Sequence, residues 1–228
     1  ALAVADRVVT VHNGVDVNAF REARPIDLDG LAGLAPAATG TVRVGLVATY
    51  ARWKGQDVFL RALSQLPAGA PVRGYIIGGP IYRTAGSEVS RQRLNELARA
   101  LNLDGRVGFI DFQADRPGVF HALDIVVHAS TDPEPFGLTI AEAMAAGRPV
   151  ITTGLGGAAE VVQDTRAIVT PAGDAGALAS AIMRLAADAE ERARQGECGR
   201  EHVRRLFSLD RFGAAVEATH RAACSRNA

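Results

Sequence analysis

Apolar residues recur along this chain in two alternating rhythms. Val42–Ala48, Val72–Ile77, Val107–Ile110, Ile125–His128 and Val150–Thr153 are short, nearly continuous apolar runs, the pattern of strands buried on both faces. Between them the apolar positions spread out to helical spacing. Phe59, Ala62, Leu63 and Leu66 mark the inner face of a helix starting near Gln56, and Leu94, Leu97, Ala98 and Leu101 repeat that spacing. A short helix ends over Phe120–Leu123. Leu138–Ala146 is built of helix formers that Gly147 and Pro149 stop, and Leu178, Ile182 and Leu185 mark a further helix. The Gly-rich turn Gly154–Gly157 precedes a short strand at Ala167–Thr170, and the tail, Glu190–Leu206 and Leu209–Ala223, is helical and highly charged.

Strands alternating with helix-length segments need right-handed crossovers, which predicts an α/β fold: a Rossmann-like, doubly wound parallel sheet of about six strands. Four segments follow. Residues 1–20 hold a β-branched strand at Arg7–Val11 and an Asn13-Gly14 turn. Residues 21–41 include Leu28–Thr41, rich in Gly, Ala and Pro without periodicity, which reads as a linker or mobile loop. The sheet domain spans 42–206, and a C-terminal helix spans 207–228.

Composition narrows the function classes. Of 228 residues, 25 are basic and 25 acidic, a balance that gives no reason to expect nucleic acid or anionic lipid as a partner. No apolar run approaches the ~20 residues of a membrane span, and no secretory signal opens the chain, so a soluble cytoplasmic protein is expected. Cys198 and Cys224 lack metal-ligand spacing and read as free thiols.

In doubly wound sheets, ligands lie outside the carboxyl ends of the strands. Thr49–Gly55, Gly78-Gly79, Ile110–Phe112, the loop with Glu134 and Gly154–Gly157 all fall there. The most informative stretch is Thr131–Val150. Glu134 stands on the loop after a strand and Glu142 a turn into the next helix, with seven residues between them. Gly137 permits close approach of a ligand, and the free N–H groups of Gly137, Leu138 and Thr139 form an anion site. Carboxylates on either side of an anion site suit a ligand with both hydroxyls and phosphate, as a nucleotide-sugar has. Lys54, before Gly55, adds an ammonium, and Arg52 is a candidate second cation. His121 and His128 read as hydrogen-bonded core histidines, and His12 is given no role.

The segment E-P-F-G-L-T-I-A-E-A-M-A-A-G-R-P-V closely resembles the Glu-x7-Glu segment of retaining GT-B glycosyltransferases, glycosyl transferases group 1. A-D-R-V-V-T-V-H-N-G-V-D resembles the end of the first domain in the same proteins. The resemblance covers nearly all of Val42–Ala223 and, more weakly, Ala5–Phe20. It implies the C-terminal, donor-binding half of a GT-B fold. The N-terminal acceptor-binding domain, and any peripheral membrane contact made through it, would lie outside these residues. The implied donor is a UDP-, GDP- or ADP-sugar, bound without cofactor or metal. Glu134 would face the transferred sugar and Lys54 the diphosphate, as the catalytic pair. Glu142 would accept from the ribose hydroxyls, with Phe136, Gly137, Leu138, Thr139 and Arg52 lining the donor site and Ile110 and Asp111 holding the base through backbone groups. In Gly156, Gly157 and Glu160, which match a G-G-x-x-E turn, the glycines would shape the cleft and Glu160 would be structural. One departure stands out: where the family often places an Arg, five residues before Lys54, this chain has Thr49. Half of such a protein would bind donor but barely turn over. The alternatives are an inactive nucleotide-sugar-binding module and the corresponding half of a GT-B epimerase. A dinucleotide oxidoreductase fails, because Ala48–Gly55 lacks the G-x-G-x-x-G spacing.

Overall fold

The buried runs form six strands: β1 (Val42–Val47), β2 (Val72–Ile77), β3 (Val107–Ile110), β4 (Ile125–His128), β5 (Val150–Thr152) and β6 (Ile168–Val169). In this computed structural model, which describes residues 8–80 and 86–225, they pair in parallel throughout, in the order β3-β2-β1-β4-β5-β6. Ten helices connect or flank them among the described residues: α1 (Val17–Glu22), α2 (Leu28–Leu31), α3 (Gln56–Ser64), α4 (Arg91–Ala100), α5 (Arg116–Ala122), α6 (Leu138–Ala145), α7 (Gly157–Val162), α8 (Ala175–Ala187), α9 (Ala189–Leu206) and α10 (Leu209–Ser225).

Side chains alternate across the sheet, and each face has its own core. Val44, Leu46, Ile76, Ile125 and Val127 pack with α3, α4 and α8 through Phe59, Leu63, Leu94 and Ile182. Tyr75, Ile77, Val126 and Val150 pack on the other face with Phe20 of α1, Phe120 of α5, Ile140 and Met144 of α6, and Val203 of α9. Burying each such aliphatic side chain stabilises the fold by about 1.5–3 kcal/mol. The doubly wound parallel reading therefore holds.

Local structure differs from expectation near the N-terminus. Residues 8–14 form no strand, Arg7 lies outside the described residues, and the pairing nearby is one bridge from Val15 to Ser208. The 28–41 stretch is anchored rather than free. It contains α2, whose Asp29 is buried and accepts from Arg73 at 2.7 Å, Arg43 at 3.1 Å, Tyr75 Oη at 2.5 Å and the Ala37 N–H at 3.0 Å. Helices α1 and α7 have six residues each, too few to show a helical period in sequence. Cys198 and Cys224 are free thiols. Among the described residues no helix is long and apolar enough to cross a membrane.

Candidate functional site

Strands β1 and β4 are neighbours, yet the helices that follow them, α3 and α6, pack on opposite faces of the sheet. The two strand-end loops therefore diverge and open a crevice at the centre of the sheet. The loop after β1 runs through a 3-10 turn, Arg52–Lys54, to Gly55 at φ 71°. A side chain at Gly55 would collide with the Ala129 carbonyl, so glycine lets this loop lie directly on the end of β4. The Thr131 N–H then donates to the Trp53 carbonyl at 2.8 Å, lacing the loops together.

That lacing brings Lys54 to Glu134, and the two form an ion pair. Glu134 is buried, and its Oε1 also accepts from Ser130 Oγ at 2.8 Å and from His128 Nε2 at 3.0 Å. Because a carboxylate only accepts, Nε2 carries a proton toward Glu134, and Nδ1 lies 3.1 Å from Thr152 Oγ1, which fixes the ring between β4 and β5. Burial pushes the Glu134 carboxyl up, but hydrogen bonds from His128, Lys54 and Ser130 outweigh it and hold the group at about 2. The backbone is fixed as well: the Glu134 N–H donates to Leu155 O at 3.1 Å and its carbonyl accepts from the Gly157 N–H at 2.7 Å. The Gly154–Gly157 turn thus braces the Glu134 loop.

Helix N-termini divide into two kinds. Those of α4, α5, α8 and α9 are capped by Ser90, Asp115, Asp174 and Asp188. Helices α3 and α6, which start at the crevice, begin on the left-handed glycines Gly55 and Gly137 with no side-chain cap. Among the described residues nothing accepts from the N–H groups of Gly137, Leu138 or Thr139. Amides left open at the positive end of a helix are an anion site. One turn along α6, Glu142 is buried, with its Oε1 2.7 Å from Arg116 Nη1 of α5. Burial raises its carboxyl to about 7, although Arg116 pulls it down.

Other candidates fall differently. Arg52 is exposed in a groove beside Glu88 and Arg93, away from the Lys54–Glu134 pair. Thr49 Oγ1 donates to Gly79 O at 3.0 Å. Ile110 is buried and its carbonyl already accepts from the Gly78 N–H at 2.9 Å, while the next aromatic, Phe112, is exposed at the strand end. The Phe136 ring is buried against Phe207 and His12. His12, given no role in sequence, pairs with Glu160 at 3.0 Å. Sequence reasoning missed His128, Ser130, Thr152 and Arg116 as members of the site. The available signal was His128, a polar residue ending an apolar strand at the crevice. Among the described residues no three or more His, Cys, Asp or Glu side chains gather as a metal centre.

Residues 36–202 match the family model described as glycosyl transferases group 1. The D-inositol 3-phosphate glycosyltransferase 2 of Catenulispora acidiphila is 35% identical over 209 residues, covering 88% of this chain and 47% of that protein. The D-inositol 3-phosphate glycosyltransferase of Mycobacterium marinum is 35% identical over 160 residues, covering 69% of this chain and 32% of that protein. The chain thus spans from about a third to about half the length of these curated relatives. Among solved structures, Anabaena HepE in complex with UDP and glucose superposes with a TM-score of 0.81 at 29% identity, covering 92% of this chain and 56% of that one.

Proposed function

The chain belongs to the glycosyl transferases group 1 family, and on that premise we propose that it is the donor-binding half of a retaining glycosyltransferase that moves a sugar from a nucleotide-sugar to an acceptor hydroxyl. The observation that carries this reading is the joint presence, at the β1–β4 crevice, of the Lys54–Glu134 pair and the open amides of Gly137, Leu138 and Thr139. A diphosphate seated there meets the ammonium and the helix N-terminus together. Glu142 then takes the ribose diol, and Glu134 faces the sugar. The complex of HepE with UDP and glucose supports the ligand class.

Glu134 acts by charge and positioning in this proposal, not by covalent attack. A carboxylate with three donors on one oxygen and a conjugate acid near 2 is a weak base and a poor nucleophile. It is suited to steadying positive charge as the glycosidic bond loosens. The diphosphate, neutralised by Lys54 and the α6 amides, departs from the face the acceptor enters and takes the acceptor proton. Acceptor recognition belongs to the part of the protein outside these residues, so this chain alone binds donor and transfers little.

The test is a thermal shift of the chain with UDP-, GDP- and ADP-glucose. One donor should raise the melting temperature by mass action, and Lys54→Ala and Glu142→Ala should each remove most of that rise. A rise undiminished in both variants would place donor binding elsewhere. A second reading, a binding module without transfer, is favoured by Thr49 in the position of a second cation and by Arg52 lying away from the pair. Sugar transfer by the full-length protein separates the two.

A further inference from the structure

We propose that Arg116 is a positioning residue for the nucleotide, a cation set against the Glu142 carboxylate that aims it at the ribose diol. This rests on the reading of Glu142 as the ribose ligand and adds a residue outside the Glu-x7-Glu segment. Arg116 opens α5, on a different crossover, where the Asp115 side chain caps the helix through the Gly118 N–H at 2.9 Å and fixes where the next residue points. From there its guanidinium reaches Glu142 Oε1 at 2.7 Å. The pair is asymmetric: the Glu142 side chain is 5% exposed and that of Arg116 48%, so a solvent-facing cation lies over a carboxylate that is otherwise enclosed.

Enclosure alone makes the acid form of Glu142 the favoured one, and Arg116 is the charged group that opposes it. Helices α1, α7 and α9 and strands β4 and β5 also pack on α6. Among their described residues no titratable or charged group acts on this carboxyl. The consequence for binding is direct. An ionised carboxylate accepts from both hydroxyls of a vicinal diol, whereas the protonated acid carries a proton of its own and loses an acceptor site. Arg116 engages Oε1, so Oε2 remains for the ligand, and its exposed stem lets the guanidinium shift aside without leaving solvent.

The experiment is calorimetric titration of the 228-residue chain with whichever of UDP-, GDP- or ADP-glucose binds, from pH 5.5 to 8.5. Both phosphates of these donors are esterified and do not titrate in that window. The parent should bind more weakly on the acid side. Arg116→Ala should move that decline to higher pH by about one unit, making binding about tenfold weaker at pH 6.5 but within about twofold of the parent at pH 8.5. Arg116→Lys should restore the parent profile, because it returns the charge. Glu142→Gln should bind weakly, without the decline that Glu142 contributes. If Glu142→Gln binds as well as the parent at every pH, the ribose reading itself fails. If Glu142→Gln is weak while Arg116→Ala loses affinity equally at every pH, or binds more tightly than the parent, the role given to Arg116 is overturned and the ribose reading survives.

Discussion

Glu134 and Glu142 are both buried and belong to one short segment, yet their carboxyls are driven apart, to about 2 and about 7. Burial raises both. The outcome is decided by partners: three donors meet at Glu134, whereas Glu142 has only the charge of Arg116 beside it. The depressed group contributes stability above the ordinary value near 4.5, and that contribution is lost as pH falls through its folded value. The raised group behaves oppositely. Its folded form is favoured while protonated, and stability declines as pH rises from about 4.5 through about 7. Each shift corresponds to on the order of 3 kcal/mol. Glu134→Gln should therefore lower the unfolding free energy in urea at pH 7 by about 2–3 kcal/mol, with the gap narrowing below pH 4.5. Glu142→Gln should be more stable than the parent at pH 8.5, by up to about 3 kcal/mol, and equal to it near pH 4.5. Equal stability of Glu142→Gln and parent across that range would remove the case for a strained carboxylate kept for ligand binding. The two glutamates and Lys54 were legible in sequence because a loop, a glycine and a helix start surround each in a recognisable order. His128 and Ser130 were not, because single polar residues at a strand end carry no pattern, and Thr152 and Arg116 were not, because each lies on a separate element. The sheet order, which sets β4 beside β5, brings Thr152 to the site, and the packing of α5 on α6 brings Arg116.

At the scale of elements, two contacts between distant segments fix the crevice and the approach to it. The first is Gly55 on the end of β4. Gly55→Ala would place a Cβ at φ 71° and against the Ala129 carbonyl, costing about 1–3 kcal/mol and pushing Lys54 away from Glu134. Donor affinity should then fall by tenfold or more while the far-UV spectrum is kept; unchanged affinity would mean that the lacing of the two loops does not set the site. The second contact is α2 on the sheet. Arg43 and Arg73 are register neighbours on β1 and β2, and Asp29 pairs with both. Its carboxyl is held well below the usual range, since bonds from Tyr75, the Ala37 N–H, Arg73 and Arg43 outweigh its burial. Asp29→Asn leaves two adjacent arginines without a counter-charge. Allowing for the partial exposure of Arg43, the loss should be about 2–3 kcal/mol by urea unfolding, with faster amide exchange over residues 28–37. Sequence presented this stretch as a linker because Gly and Pro abound and a four-residue helix has no period to display. Its anchor is non-local and leaves no trace in the segment itself.

The strand–helix alternation made the doubly wound class readable over the whole molecule, since each buried run in sequence became a strand within a residue or so of its expected ends. Strand order was another matter, because it depends on which face each crossover takes and not on any one segment. The boundary of the cooperative unit is likewise non-local. Val15 and Phe207 are both in the core, joined by the Val15 N–H to Phe207 O bond at 2.7 Å, although they lie at opposite ends of the described chain. Beyond them the character changes. Helix α10 has no buried residue, and Leu209, Phe212 and Val216 are exposed along it. A helix with no fully buried residue adds less to the folding free energy than one seated in the core, because tertiary packing, not propensity, stabilises most helices in proteins. Ending the chain after Arg211 keeps the Leu209 N–H to Val15 O bond at 3.0 Å and removes the rest of α10. That truncation should cost less than about 1 kcal/mol, a fall in melting temperature of about 2–4 °C at most, with donor binding within about twofold of the parent. Phe207→Ala is the contrasting change, since its ring packs on Phe136, His12 and His202. It should cost about 3–5 kcal/mol and weaken donor binding as well, because Phe136 leads directly into the Gly137 amides. A truncation as damaging as Phe207→Ala would put α10 inside the cooperative core, whereas a large gap between the two places the edge of the donor-binding unit at Ser208.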